Sequence, residues 1–287
     1  MGQINIAFHG TRGSTPCDAP EMSRYGGNTS CVSLDVPGHD PLLFDLGTGL
    51  RYFGLAQPPN RPFYGNCLLT HFHWDHIQGL PFFTPLLKER SVLEVYAPRP
   101  DGGASVAETM AETIRPPLFP VPLDTLPGRV VFHDLDEGAF EIPSGEPGVA
   151  PIEVLMRHIP HVGTMAGYRV THEGRSVAYL SDHQQPLDEA FSIADGALAL
   201  CEGVDVLIHD AQYTPGEFAE RSDWGHCTVE YAVWVAMTAQ AKTLVLFHHD
   251  PTHNDDLIDV LATSAAACGR TAGLEVVAAR DGLVLSL

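Results

Sequence analysis

The sequence is poor in basic residues. Lys and Arg together number 16, whereas Asp and Glu number 36, and the formal net charge is −20. Proteins that hold long nucleic acids usually present basic patches, because contacts to phosphates supply most of the affinity. No cluster of Lys and Arg occurs in this chain. The composition therefore argues against a long nucleic acid as the partner.

Cysteine pairs and long apolar runs are also lacking. The six cysteines are scattered and form no C-x-x-C pair, so neither a disulfide framework nor a thiolate zinc site is predicted. No apolar run is long enough to span a bilayer. The first residues, "MGQINIAFHGTRGSTP", lack the basic region and apolar core of a secretion signal. We expect a cytoplasmic protein without membrane contact.

The 287 residues, 44% of them hydrophobic, can bury a substantial core. Short β-branched runs predict strands at "INIAF", "CVSLDV", "PLLFDL", "CLLT", "SVLEVYA", "RVVFHDL", "IEVLMRH", "DVLIHD" and "KTLVLFHH". "GYRVTHEGRSVAYLSD" predicts a hairpin that turns near Glu173-Gly174. Helices are predicted for "GASVAETMAETI", "TVEYAVWVAMTAQ" and "NDDLIDVLATSAAACG", the last with Asn254 as N-cap. The pattern indicates a single α/β domain over residues 1–287, with two sheets between outer helices.

One short segment concentrates residues that bind metals. "LLTHFHWDHIQGLPFF", residues 68–83, places His71, His73, Asp75 and His76 directly after an apolar run. Alternate residues at the end of a strand share a face, so the first two histidines can point the same way, and the other two residues remain available to a second centre. Imidazole and carboxylate are ligands of zinc, manganese and iron. The alternative is a histidine-rich surface loop in a chain with 15 histidines.

Further candidate ligands follow other strand-like runs, where α/β folds tend to assemble their sites. They are Asp45, His161, Asp182, His248 and His249. The motifs "FDLGTG", "THFHWDHIQGL", "HVGTMAGY", "YLSD" and "LFHHDP" occur in this order over nearly the whole chain. In this combination the sequence resembles the metallo-β-lactamase superfamily, in particular its phosphodiesterase branch related to RNase Z. The resemblance implies an αβ/βα four-layer sandwich with metals at one edge.

The resemblance also implies a ligand set. His71, His73 and His161 would hold one metal ion, Asp75, His76 and His248 the other, and Asp182 would bridge them. Asp45 resembles the carboxylate that braces the histidine-rich loop. His161 is preferred to His158 because the family pattern has Gly-Tyr six and seven residues after its ligand. His248 is preferred to His249 because only one of the two can face the site, and the former matches the family's L-x-H strand.

Two segments indicate the reaction. Histidine at position 73, where the di-iron members of the superfamily have glutamate, favours hydrolysis, with Asp75 orienting a metal-bound hydroxide. "DWGHCTVEYAVWVA" places His226 before a predicted helix N-terminus, where free N–H groups favour an anion. It resembles the "GHST" segment of RNase Z, which implies that His226 stabilises or protonates a phosphate oxygen with support from Asp210. The alternative for His226 is a capping or surface histidine.

We therefore expect a dinuclear metal-dependent phosphodiesterase that carries two divalent ions, Zn²⁺ with Mn²⁺ or Fe as substitutes. Residues 97–150 are Pro-rich and acidic and do not resemble the long basic arm of the tRNA-processing members, which favours a small, including cyclic, phosphodiester. The alternatives are a lactone, thioester or β-lactam hydrolase on the same centre, or a non-catalytic metal-binding regulatory protein. The family also suggests a homodimer. Arg12 or Arg24 is considered as a substrate contact, and "GLPFFTPLL" as an entrance, a dimer contact or core.

Overall fold

Hydrogen bonding sorts the strands of the chain into two mixed β-sheets. The computed structural model describes residues 2–188 and 190–287, and within them each sheet has seven strands. The first sheet consists of β1 (Asn5–Gly10), β2 (Cys31–Asp35), β3 (Leu42–Phe44), β4 (Tyr64–Leu68), β5 (Val92–Pro98), β6 (Arg129–Leu135) and β14 (Val284–Ser286). The second consists of β7 (Gly138–Ile142), β8 (Ile152–His158), β9 (Ala166–His172), β10 (Arg175–Leu180), β11 (Val206–Asp210), β12 (Thr243–Phe247) and β13 (Glu275–Ala278).

The parallel strands of each sheet determine where the loops gather. The order of the first sheet is β14-β1-β2-β3-β4-β5-β6, and that of the second is β13-β12-β11-β10-β9-β8-β7. Strands β3 to β6 run parallel, and so do β10 to β13. The carboxyl ends of parallel strands lie at the same edge of a sheet, which is where ligands bind in such folds. The predicted hairpin of β9 and β10 is present and turns at Glu173 and Gly174, both with positive φ.

Helices cover the outer faces of the sheets. The described residues form α1 (Leu50–Ala56), α2 (Trp74–Ile77), α3 (Val106–Thr113), α4 (Asp195–Cys201), α5 (Pro215–Arg221), α6 (Val229–Thr238) and α7 (Asp255–Arg270). Of these, α1, α3, α4, α6 and α7 pack against strands. Short 3₁₀ helices occupy Pro20–Met22, Leu80–Phe82, Thr84–Leu87 and Leu123–Thr125. Asn254 caps α7 as predicted, since its side chain accepts from the N–H of Leu257 at 2.9 Å. Thr228 caps α6 by accepting from the N–H of Tyr231.

Apolar side chains form a central core between the sheets and two outer cores under the helices. In the central core, Phe44 of β3 stacks on Tyr179 of β10 at 4.6 Å between ring centroids. The outer cores pack α4 and α6 on one side, and α1 and α3 on the other. Helix, sheet, sheet and helix therefore form four layers, and the predicted αβ/βα sandwich is confirmed. Among the described residues, no helix is both long and apolar enough to cross a membrane.

Candidate metal centre

The candidate ligands converge at one edge of the two sheets. The potential ligand atoms of His71, His73, His161 and Asp182 all lie within 4.8 Å of one another. Those of Asp75, His76 and His248 form a second such group. The first sheet supplies the residues after β4, and the second supplies those after β8, β10 and β12. The structure thus brings together all seven residues of the ligand set that the family resemblance implied.

The short helix α2 determines how the histidine-rich segment is used. His73 stands at its N-cap position with extended backbone dihedral angles, φ −63° and ψ 149°. Asp75 and His76 follow inside the single helical turn and are buried. The change from extended chain to helix directs these two side chains toward the second group, while His71 stays with the first group. His73 is exposed, and its Nδ1 lies 3.3 Å from Nε2 of His161.

Asp182 lies between the two groups. Its Oδ2 is 3.8 Å from Nε2 of His71 and 4.0 Å from Nε2 of His161. Its Oδ1 is 3.2 Å from Nε2 of His76 and 3.4 Å from Nε2 of His248. One carboxylate oxygen therefore faces each group, as a ligand shared by two cations requires.

Buried polar atoms without partners show that the residues fit a pair of cations. Nε2 of His71, Nε2 of His76 and Oδ1 of Asp182 are buried and make no hydrogen bond within the described residues. Buried polar atoms are nearly always satisfied, because leaving one unpaired costs about 1–3 kcal/mol. Other buried atoms of the described residues also lack a partner, but these three belong to one cluster, and imidazole and carboxylate are ligands for zinc and related ions. Divalent cations between the groups would satisfy them together.

Asp45 braces the cluster from behind. This fully buried carboxylate accepts hydrogen bonds from the N–H and the hydroxyl of Thr70 at 2.8 and 2.9 Å, and from the hydroxyl of Tyr179 at 2.9 Å. Its Oδ2 also lies 2.8 Å from Nδ1 of His76. A carboxylate accepts the proton of Nδ1, so Nε2 of His76 is the atom presented to a metal. Asp45 itself sits at a positive φ of 57° just after β3.

Other ring nitrogens are oriented in the same way. Nδ1 of His161 lies 2.8 Å from the carbonyl oxygen of Gly225, and Nδ1 of His248 lies 2.8 Å from Oε1 of Gln212. In both residues Nε2 points at the cluster. Sequence reasoning missed Gln212, Tyr179 and Gly225 in these roles. For Gln212 a signal existed, since it lies two residues after Asp210 in the segment singled out for the reaction.

Burial and neighbouring charges set the protonation of the cluster. Burial lowers the pKa of His161 to about 4 and that of His71 well below its usual value. Burial alone would raise the pKa of Asp182, but the nearby histidines, chiefly His248 and His76, outweigh it and hold that pKa well below normal. Neutral imidazole and ionised carboxylate are the forms that bind metals.

His76 and His248 behave differently from the other histidines. Burial acts to lower the pKa of both, but Asp182 and Asp75 outweigh burial and raise the pKa of each ring. The carboxylate oxygens are close, with Oδ2 of Asp75 at 3.1 Å from Nε2 of His76 and at 3.1 Å from Nε2 of His248. A cation that binds here must displace these protons, so its affinity falls as the pH falls.

His226 stands beside the cluster with its own carboxylate partner. Its Nδ1 lies 2.9 Å from Oδ2 of Asp210 and 3.9 Å from Oδ2 of Asp182. Its ring stacks on that of His248 with centroids 5.0 Å apart. The residue is buried just before the N-cap of α6. The expected support of His226 by Asp210 is present, and His226 is also near enough to be a ligand in a group with Asp182 and His248.

His158 and His249, the two alternatives to the preferred ligands, have hydrogen-bond partners outside the cluster. Nδ1 of His158 is 3.3 Å from the carbonyl oxygen of Met165, and Nε2 of His249 is 2.9 Å from that of Ala279. Of the two adjacent histidines after β12, the structure directs His248 at the site. His183 and His209 form a buried pair, with 2.8 Å between Nδ1 of the first and Nε2 of the second.

The two arginines considered as substrate contacts hold loops instead. Arg12 is fully buried and donates to the carbonyl oxygens of Gly26, Asp250 and His253. Arg24 makes ion pairs with Asp255, Asp256 and Asp259 at 3.6, 2.8 and 2.6 Å. The sequence left open whether Arg12 contacts the substrate, and in the structure its guanidinium is buried without access to solvent. Arg24 is engaged at the start of α7.

Two cavities open next to the histidine-rich segment. One of about 180 Å³ is lined by His71, His73, Asp101 and Thr164 among others. The other, about 300 Å³, is mainly apolar and is lined by Trp74, Phe82 and neighbouring residues. Leu80, Phe83 and Leu86 of "GLPFFTPLL" are in the outer core, so that segment supplies both core residues and a cavity wall.

Comparison with known proteins agrees with this geometry. Residues 43–249 match the family described as Beta-lactamase superfamily domain. The ribonuclease Z of Pyrococcus abyssi is 27% identical over 284 residues, covering 88% of each chain. The metallo-β-lactamase fold protein YhfI from Bacillus subtilis superposes with a TM-score of 0.71 at 20% identity, over 100% of both chains. A diphosphatase of the PhnP family superposes with a TM-score of 0.68 at 20% identity, covering 100% of this chain and 98% of the diphosphatase. The chain therefore belongs to the β-lactamase superfamily and has the metallo-β-lactamase fold that its motifs led us to expect.

Proposed function

We propose that this protein is a dinuclear metal-dependent phosphodiesterase that cleaves small phosphodiesters, including cyclic ones. The observation that carries the proposal is the pair of His226 and Asp210 beside the shared carboxylate of Asp182. A lactone or β-lactam presents a neutral carbonyl group to the cation site, whereas a phosphodiester carries a negative charge at the bond that is broken. A phosphodiester needs a group that neutralises or protonates an oxygen, and His226 is positioned for that role.

The chemistry divides between the cations and the side chains. A pair of divalent ions, when bound, supplies a nucleophile near neutral pH and stabilises the attacking and leaving oxygens. Asp75 orients the attacking water through its carboxylate, which the N–H of Ser14 holds by a hydrogen bond to Oδ2 at 2.8 Å. His226 donates a proton from Nε2 to the leaving oxygen while Asp210 accepts at Nδ1. The His-rich donor set favours zinc, with manganese or iron as substitutes.

Three features support a small substrate. The cavity at His71 and His73 has the dimensions of a small-molecule site, at about 180 Å³. The segment between β5 and β6 packs into the outer core through Val106, Met110 and Leu123 and so does not project as an arm. Arg99 is paired with Asp134 at 3.5 Å, and the net charge of −20 disfavours a polyanion. Because both sheets supply ligands, we propose that residues 1–287 act as one domain, and a homodimer is the proposed assembly.

The test is a substrate panel with metal-loaded protein. Zinc- or manganese-loaded enzyme should cleave bis(p-nitrophenyl) phosphate and a 2′,3′-cyclic nucleotide, and chelation should abolish both activities. The panel includes an aryl ester, a lactone, a thioester and a β-lactam. Cleavage of these, with no cleavage of any diester, would contradict the proposal and favour the alternative hydrolase.

Precursor tRNA is the second candidate substrate. The likeness to ribonuclease Z of Pyrococcus abyssi, which covers 88% of both chains, favours it. Processing of a precursor tRNA at low enzyme concentration, with weaker action on the small diesters, would replace the small-substrate proposal. A steep fall of tRNA cleavage with salt would then be expected, because phosphate contacts would supply the affinity.

A further inference from the structure

Gln212 connects the pair of His226 and Asp210 to the metal cluster. Its side chain is buried, and its Oε1 lies 2.8 Å from Nδ1 of His248. Its backbone N–H donates to Oδ1 of Asp210 at 2.9 Å. Its Nε2 donates to the hydroxyl of Ser14 at 3.3 Å. Hydrogen bonds therefore fix both the oxygen and the nitrogen of the side-chain amide, and Oε1 is directed at His248.

That oxygen determines which nitrogen of His248 carries a proton. An amide oxygen can only accept, so the ring donates from Nδ1 and leaves Nε2 for a cation. Nε2 lies 3.1 Å from Oδ2 of Asp75 and 3.4 Å from Oδ1 of Asp182, inside the cluster. With the opposite tautomer, the proton of His248 would occupy the position of the metal bond.

The loop between β1 and β2, which contains Gly13 and Ser14, packs against Gln212 and His248. A side chain at Gly13 would overlap the ring of His248 and approach Oε1 of Gln212, so glycine is what allows this loop to lie against their hydrogen bond. Ser14 follows with a positive φ of 61° and directs its N–H at Oδ2 of Asp75. Two candidate ligands of the same cation are thus fixed by adjacent residues of one loop.

We infer that Gln212 is a positioning residue that, together with Gly13 and Ser14, holds Nε2 of His248 and the carboxylate of Asp75 in the geometry that binds the second cation. The inference rests on the metal centre of the proposed function. It assigns a role to the "HGTRGSTP" loop, which faces the cluster with backbone atoms while Arg12 is turned into the protein.

The experiment measures zinc dissociation constants by competition with a chromophoric chelator. Gln212→Leu removes the hydrogen-bond acceptor and should lower the affinity for one of the two zinc ions about 10- to 100-fold. This is the usual effect of losing the residue that hydrogen-bonds to a metal-binding histidine. Gln212→Glu keeps an acceptor and adds charge, so it should bind as tightly as the wild type or more tightly. Gln185→Leu is the matched control. Gln185 is a buried glutamine that accepts from Thr228, and the variant should lose stability without losing zinc affinity.

A spectroscopic measurement separates positioning from general stabilisation. ¹⁵N-histidine NMR of the zinc-loaded wild type should show the proton of His248 on Nδ1. Unchanged zinc affinity in Gln212→Leu, equal weakening in the Leu and Glu variants, or a proton on Nε2 would each overturn the inference. Failure of the wild type to bind two zinc ions would overturn the metal centre as well. Zinc binding with these variant effects but no diester cleavage would overturn the proposed function and support the positioning role.

Discussion

Nδ1 of His226 lies 2.9 Å from Oδ2 of Asp210, and that same oxygen accepts the backbone N–H of His183 at 3.0 Å. Oδ1 of Asp210 accepts the N–H of Gln212. The carboxylate is therefore fixed by the backbone on both sides, and it fixes the ring of His226 in turn. With Nδ1 engaged, Nε2 is the nitrogen left to exchange a proton with a substrate.

His226→Ala should lower kcat/KM for phosphodiesters about 100- to 10,000-fold, the range for loss of a general acid. The loss should be greater for an alkyl leaving group than for p-nitrophenolate, because the latter departs without protonation. Steady-state kinetics with both substrates, combined with metal analysis, tests this. His158→Ala is the control, since that exposed histidine lies outside the cluster. An equal loss for both leaving groups, or loss of a metal ion, would contradict the assigned role.

Asp182→Ala should release both cations, because it removes both carboxylate oxygens and one of them faces each group of ligands. His73→Ala should weaken the binding of only one cation, because that exposed ring belongs to the first group alone. Elemental analysis after dialysis against a weak chelator should find about two ions in the wild type, one in His73→Ala and none in Asp182→Ala. Retention of one tightly held ion by Asp182→Ala would contradict a bridging position.

Asp45→Asn should lower metal affinity about 10- to 100-fold, because the acceptor for Nδ1 of His76 loses its charge. Tyr179→Phe is the matched comparison. It removes one hydrogen bond to the same carboxylate and should cost about 1.5–3 kcal/mol of stability, with a smaller change in metal affinity. Chemical denaturation and zinc competition measure the two effects. Equal metal affinity in the two variants would show that Asp45 acts on the fold and has no separate effect on the metal site.

His249→Gln should reduce the acid sensitivity of the metal-free protein. Burial lowers the pKa of His249 to about 3, and the residue is 4% exposed. A histidine with a lowered pKa binds its proton in the unfolded chain first, so stability is lost as the pH falls from about 6.5 toward 3. At about pH 5 this amounts to about 2 kcal/mol.

Glutamine has no such proton and can still donate to the carbonyl oxygen of Ala279. Denaturant unfolding at neutral pH and at about pH 5, in the presence of chelator, should show a smaller difference between the two conditions for His249→Gln than for the wild type. An identical pH dependence of the two proteins would mean that His249 is protonated in the folded state.

Local sequence patterns predicted the parts of the molecule that depend on neighbours in the chain. β6 and β8 have the same bounds as the predicted strands "RVVFHDL" and "IEVLMRH", and α7 begins after its predicted N-cap, Asn254. The short edge strands β7, β13 and β14 were not predicted, since three to five residues carry little periodicity and their pairing partners decide. β4 was expected to reach Thr70 but ends at Leu68, because the N–H of Thr70 donates to Asp45.

The candidate ligands were found because each follows a strand, and parallel strands end together. Residues that orient the ligands were harder to find, because a contact such as that of Gln212 with His248 joins positions 36 residues apart. The burial of Arg12 also could not be predicted from the sequence. A lone arginine beside glycines is compatible with anion binding, and only the carbonyl oxygens of Asp250 and His253, over 230 residues away, show that it is internal.

The division of ligands between the two sheets has a thermodynamic consequence. His71 and His76 come from one sheet, and His161 and His248 from the other, so each cation would crosslink the two halves of the sandwich. Melting temperature then becomes a function of free metal concentration, with about 2.7 kcal/mol gained at a hundredfold excess over Kd. Protein purified in a chelating buffer should therefore melt at a lower temperature. Thermal-shift measurements with a series of metals would rank their affinities without any substrate.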